Sequence, residues 1–341
     1  MATIEEYWTK RAELLEARWN RDAQVIEKEL KASYRQALKE AENEMRAYLT
    51  RKDFDYNELM KSLNRSEIKD RKDSLLNFLD KLKDMDTEIS KRIAEDVNVH
   101  LDKRKLSRLD AIISEMLIQT GEYSLKDEQM IRDQLKEVYR ETLFRNKFEL
   151  AGLGINTPVY TLNNKIVDKV LSYPWNGENF SNRIWNNKQV MLQKLREALV
   201  QGVLQGLHAD EVAEKFAVIM TVPLHRAQAT VYTETAFIYG QAQLDSYDEA
   251  EIDKYKLHVT FDNVTSKICR ALDASKIYLA SEARAGINYP PLHTRCRTLS
   301  IPYFEGIEGA KYRWVRDKNG NSVKVDNANM SYKEYKEQFL K

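Results

Sequence analysis

The residues with the most chemistry in this chain lie between His258 and Phe304, a stretch that holds both cysteines, Cys269 and Cys296, together with His293. The His293-x-x-Cys296 spacing puts two metal-ligand side chains on one turn, and Cys269 can return from the preceding element, so a bound zinc ion is one expectation. Three ligands suit a catalytic or incomplete site, whereas a closed structural site wants four. Ser266 stands three residues before Cys269, where a second cysteine would complete the set, and a neutral hydroxyl is a poor zinc ligand. Asp262 or Asp273 could substitute with weaker affinity. Two other readings stay open: small buried thiols beside a satisfied histidine, and a disulfide formed after release from the cell. A nucleophile pair, with Cys269 or Cys296 as thiolate and His293 as base, has less support because no Gly-rich nucleophile turn accompanies it. The sequence has no Walker loop, no Gly-x-Gly-x-x-Gly and no His-Glu-x-x-His, which removes support for a nucleotide enzyme or a metalloprotease.

Two further groups of residues bear on this stretch. Glu234 shares a helical stripe with Leu224, Ala227, Val231, Ile238 and Ala242, which aims a carboxylate into the core; desolvation then demands a partner, for which Arg295 and Arg297 are the candidates. Basic residues outnumber acidic ones from 258 to 304, with Lys267, Arg270, Lys276, Arg284, Arg295 and Arg297 against Asp262, Asp273 and Glu282. Beyond it, Arg313, Trp314, Arg316 and Lys318 interleave basic and aromatic side chains in a way that suits phosphate contact and stacking, so they are candidates for DNA contact. The alternative is a solvated hairpin face.

The elements that position these residues are mostly helical. From Ile4 to about Thr50 the chain lacks Gly and Pro, and apolar or small residues recur from Trp8 to Tyr48 in steps of four, three and four. That eleven-residue repeat keeps the stripe almost straight along one helix of about 70 Å. Such a helix must pack against partners of similar length, which points to an elongated bundle or hairpin of long helices. Asp53 to Asn64 reads as a break with a short helix, and Ser66 to Met85 as a helix with Leu75, Leu76, Leu79 and Leu82 on one face. Asp86 or Thr87 is expected to cap the next helix and Gly121 to end it. A capping box at Ser124 and Asp127 is expected to open another, which stops at Gly152. Asn163 to Tyr173 reads as a short helix and Pro174 to Gly177 as a turn. Ser181 should cap the following helix, His208 to Ile219 should be one more short helix, and Pro223 should open the last, to about Tyr247. The period then changes: strands are expected at Lys256 to Phe261, Lys276 to Leu279 and Arg297 to Ile301, with a helical turn from Thr265 to Leu272. Pro290-Pro291 forbids helix and marks a turn. Asn319-Gly320 signals a β-hairpin, and Ser331 to Leu340 a terminal helix.

The fold class is therefore mainly α with a small α+β C-terminal module. Three regions are expected: 1–151 of long helices, 155–304 with helices over 163–247 and a β-rich module over 256–304, and 311–341. At 341 residues and 43% hydrophobic the chain can bury a sizeable core. Lys and Arg (54) nearly cancel Asp and Glu (53), which disfavours a general polyanion binder. No apolar run approaches the roughly 18–20 residues of a membrane span, and Met1 to Asn20 carries charges throughout, so synthesis in the cytosol with reduced thiols is expected.

Taken in order, Tyr173-Pro174-Trp175, Phe180-Ser181-Asn182-Arg183-Ile184-Trp185, Thr233-Glu234-Thr235, Asp262 to Cys269 and Pro290-Pro291-Leu292-His293-Thr294-Arg295-Cys296-Arg297 resemble phage minor head proteins of the Mu F type, a head-morphogenesis family. The resemblance runs from about Tyr173 to Tyr303 and makes Glu234, Pro290, Pro291, His293, Arg295, Cys296 and Arg297 its structural motif. It implies a minor capsid protein of a tailed phage or prophage, present in a few copies and attached to the portal inside the head. Head assembly and DNA packaging or ejection are the implied roles. The implied partners are the portal protein, a scaffold or major capsid protein and double-stranded DNA, with no membrane during assembly. The implied location is the host cytoplasm and then the virion interior. Members often carry Cys where Ser266 stands, so zinc is not a required cofactor here. Some relatives carry a toxin or ADP-ribosyltransferase region after the module; about forty residues are too few for one, so no catalytic residue is expected. The rival readings are a zinc-dependent or toxin-related enzyme and a DNA-binding helical adaptor.

Overall fold

The structure is a computed structural model and describes residues 4–49, 55–152, 155, 164–305, 313–317, 319, 322–326 and 332–339. It is mainly α. Helix α1 (Ile4–Leu49) is followed by α2 (Tyr56–Met60), α3 (Arg65–Lys83), α4 (Glu88–Leu101), α5 (Arg108–Gly152), α6 (Asn164–Ser172), α7 (Phe180–Leu204) and α8 (Ala209–Glu249). Strand β1 (Lys254–His258), the one-turn helix α9 (Lys267–Arg270), β2 (Ile277–Leu279) and β3 (Leu299–Pro302) build the small α+β module. The hairpin β4 (Arg313–Arg316) and β5 (Ser322–Val325) and the helix α10 (Tyr332–Phe339) follow.

Helix α1 forms as its repeat dictates, with Trp8, Ala12, Trp19, Ala23, Ile26, Leu30, Tyr34 and Ala41 buried. Thr87 caps α4, accepting from Ser90 N–H at 3.1 Å. Four boundaries differ from expectation. Gly121 lies inside α5 and does not end a helix; a Cβ there would stand 2.7 Å from Phe78 Cζ, so glycine lets the buried ring lie against the backbone. Ser124 is likewise internal and buried, and its hydroxyl donates to the Thr120 carbonyl at 2.7 Å. The box that opens α5 is Ser107 with Asp110: the carboxylate accepts from Ser107 N–H at 2.8 Å, and Ser107 Oγ accepts from Asp110 N–H at 3.3 Å. Ser181 sits inside α7, where its hydroxyl donates to Glu128 at 2.7 Å. Leu76 is exposed and Phe78 takes its place on the buried face of α3.

The largest difference is at Pro223, which lies within α8; the two helices expected on either side are one. An internal proline costs about 3 kcal/mol. Full burial of Phe216, Val231, Ile238 and Tyr239 along the same helix contributes about 1.5–3 kcal/mol each and outweighs it. Thr221 donates to the Val218 carbonyl at 2.7 Å and Asn187 to the Pro223 carbonyl at 2.6 Å, which keeps the backbone around the ring hydrogen-bonded.

The chain forms two compact units, residues 1–25, 133–179 and 229–341 in one and 26–132 and 180–228 in the other. The second is helical. Trp185 and Gln189 of α7 both donate to Asp96 of α4, at 2.7 and 2.8 Å. Lys188, fully buried, places its ammonium 3.1 Å from Asp127 and 4.0 Å from the Tyr34 ring centroid, which meets the demand of a buried charge for a partner.

The first unit contains the α+β module. Its sheet has the order β2-β1-β3, antiparallel throughout, with Tyr255 opposite Tyr278 and Leu257 opposite Ser300. Tyr255 stacks on Tyr278 and meets Tyr289 edge-on, with centroids 5.3 and 5.1 Å away. The sheet docks on α8 through Ser300, whose hydroxyl lies 2.8 Å from the Tyr289 hydroxyl and whose carbonyl accepts from Gln243 at 3.3 Å. Gly240 of α8 lets the Pro290 carbonyl and the Tyr289 ring come close, and the Tyr289 hydroxyl donates to the Gly240 carbonyl at 2.8 Å.

Candidate metal centre

The centre is assembled by two short loops. In the first, Asp262 folds the chain back: its carboxylate accepts from Val264 N–H at 3.0 Å and from the Thr265 hydroxyl at 2.9 Å. This turn delivers Ser266 to the N-cap of α9, where Ser266 Oγ accepts from Cys269 N–H at 3.1 Å. One helical turn then carries Cys269 inward. The second loop begins at the cis Pro290-Pro291 bond, passes Arg295 in the left-handed region at φ 57°, and closes when Cys296 N–H donates to the His293 carbonyl at 3.1 Å.

These loops bring together the three residues that the spacing suggested, and Ser266 as well. Cys269 Sγ lies 3.8 Å from Cys296 Sγ and 3.1 Å from His293 Nε2, and Ser266 Oγ lies 2.7 Å from the same nitrogen. The three ligand atoms of Cys269, His293 and Cys296 all fall within 4.8 Å of one another. His293 Nδ1 is 2.8 Å from the Thr294 carbonyl, to which it donates, so the Nε2 lone pair faces Cys269 Sγ and Ser266 Oγ. The Thr298 hydroxyl donates to Cys269 Sγ at 3.1 Å. Both cysteines are buried, at 3% and 0% exposure.

The hydrogen bond with Cys296 and burial push Cys269 up to about 12, while the same bond lowers Cys296 to about 6. His293 is raised, chiefly by its hydrogen bond with Cys269. A thiolate beside an imidazole is the donor chemistry that a borderline-soft divalent ion such as zinc selects.

Arg297 locks the first loop to the second. Its guanidinium makes a bidentate contact with Asp262 at 2.6 and 2.7 Å, and Glu16 of α1 stands 3.6 Å from the same group. Burial pushes the Asp262 carboxyl up, but Arg297, Thr265 and the Val264 N–H outweigh it and hold the group below the usual carboxylate range. Glu16 also accepts from the Thr260 hydroxyl at 2.6 Å. The sequence reading did not find this role of Glu16; its place between Ala12 and Trp19, on a buried stripe, was the available signal.

Glu234 is buried, as its stripe implies, and accepts from Trp175 Nε1 at 3.3 Å. Trp175 stacks on Phe237 at 5.3 Å, which binds the Tyr173-Pro174-Trp175 turn to α8. Of the two arginines expected beside Glu234, Arg297 is engaged by Asp262 and Glu16. Arg295 lays its guanidinium over the Tyr232 ring at 5.4 Å and donates its N–H to the Thr233 hydroxyl at 3.0 Å. Val259, Phe261, Cys269 and Cys296 form a small buried cluster, against which Leu272, Leu292, Val323, Val325 and Phe339 pack. Val323 and Val325 of β5 and Phe339 of α10 thus pack against the cluster that holds the cysteines. Of the candidate DNA-contacting residues, Arg313, Trp314 and Arg316 are described as the backbone of β4, and Lys318 lies outside the described residues.

Residues 193–301 match the model of a family described as Phage Mu protein F like protein. The matched segment runs from α7 to β3 and contains Glu234, Asp262, Cys269, His293, Cys296 and Arg297. No curated protein and no solved structure matches the chain.

Proposed function

From the match of residues 193–301 to the phage Mu F-like family, we propose a minor head protein of a tailed phage or prophage, held at the portal inside the head. It takes part in head assembly and in DNA packaging or ejection. The observation that carries this reading is the family match, which encloses the complete Asp262-to-Arg297 module. Among the described residues no helix is long and apolar enough to cross a membrane. Burial of both sulfurs denies a substrate access to either one and supports a structural, non-enzymatic protein. Long helices such as α1 and α5, with 46 and 45 residues, offer extended faces for portal, scaffold or major capsid protein. Contact with double-stranded DNA through Arg313, Trp314, Arg316 and Lys318 belongs to the same proposal.

Co-expression with the portal protein of the phage or prophage that encodes it provides the test. A complex that survives gel filtration at physiological salt is expected. Separate elution of the two at micromolar concentration would count against the reading.

A further inference from the structure

The arrangement of donors in the module supports a ligand site independently of the family. We propose that Cys269, His293 and Cys296 hold one zinc ion and that Ser266 stands at the fourth corner of its shell, giving three strong donors and one weak one.

Four observations carry this. Zinc–thiolate bonds of about 2.3 Å in a tetrahedron place two sulfurs about 3.8 Å apart, and the Cys269–Cys296 separation is 3.8 Å. His293 Nδ1 is committed to the Thr294 carbonyl, which fixes the ring and aims Nε2 at the shared space. Ser266 Oγ, at the N-cap of the one-turn helix that carries Cys269, hydrogen-bonds to Nε2 at 2.7 Å and so stands beside the three donors, within reach of the corner they leave open. Among the described residues the buried apolar cluster at this site consists of Val259, Phe261 and the two cysteines themselves, and the loops that meet there contain one helical turn, a setting in which a bound metal would tie the two loops together.

The charge also closes. Two thiolates neutralise a divalent cation, so the filled site adds no net charge to a buried region, and Thr298 stays hydrogen-bonded to Cys269. A neutral serine hydroxyl donates weakly, so the ion is held less tightly than by a third thiolate and exchanges with chelators.

Metal analysis of the full chain purified under reducing conditions, followed by cobalt substitution, tests the proposal. The expected result is one zinc per chain and a cobalt derivative with intense tetrahedral visible absorption and two-thiolate charge transfer. Ser266→Cys should add a third thiolate to that spectrum and tighten zinc at least about tenfold in competition with a chelating dye. Ser266→Ala should keep the stoichiometry of one. Absence of stoichiometric zinc from the reduced protein, or a weak octahedral cobalt spectrum, would overturn the site. Ser266→Cys binding no tighter than the parent would remove Ser266 from the fourth corner. Because Ser266→Cys is a gain-of-binding variant, the test survives if His293→Ala or a cysteine variant fails to fold.

Discussion

Single side chains decide how the module holds together, and Asp262 is the clearest. It shapes the loop before α9 and anchors Arg297, which in turn faces Glu16. Its folded pKa is depressed, so its contribution is fully present above the unfolded carboxylate value near pH 4 and is lost as pH falls through the folded value. Asp262→Asn should lower stability at pH 7 by about 3 kcal/mol, near the bottom of the range for a broken buried pair because the Arg297 side chain is 25% exposed. Urea denaturation should show parent and variant converging as pH drops from about 4 towards 2. Equal acid sensitivity in the two would disprove the assignment. At this scale the sequence was partly legible. Cys269, His293 and Cys296 could be grouped because His-x-x-Cys is a local spacing that one turn must satisfy. The partners of Glu234 and Arg297 could not be told apart, since Trp175, Asp262 and Glu16 reach them across 59, 35 and 281 residues of chain, beyond the reach of any periodicity.

Among the elements, the strands, the cap at Thr87 and the extent of α1 followed from period and composition. Two of the misplaced boundaries share one cause. Gly121 and Pro223 were read by intrinsic propensity, which assigns about 1 and 3 kcal/mol against helix, whereas packing decided both. Phe78 needs the missing Cβ at Gly121, and the buried face of α8 continues past Pro223. Gly121→Ala therefore should not gain the usual helix increment. The new Cβ would meet Phe78 at 2.7 and 2.9 Å and Ile93 at 3.3 Å, all on buried side chains. A net destabilisation of about 1–3 kcal/mol is expected, read as a lower thermal midpoint. A rise in the midpoint would mean that Phe78 does not rest on α5.

For the whole molecule, hydropathy patterning carried the fold class, mainly α with a small α+β module. Each unit takes residues from α1, α5 and α8, an arrangement that follows from which distant helices pair and not from any boundary in composition. The family match begins at residue 193, so α1 to α6 are the part of the chain whose role rests on packing alone. Of these, α1 and α5 are long enough to offer the extended faces that the proposed function calls for. The most direct test is a cryo-EM map of DNA-filled heads with the portal vertex resolved, combined with mass spectrometry of the same particles. The protein should be present in low copy, with density for its helices against the inner face of the portal. Heads that contain the portal and genome but none of this chain would contradict the account.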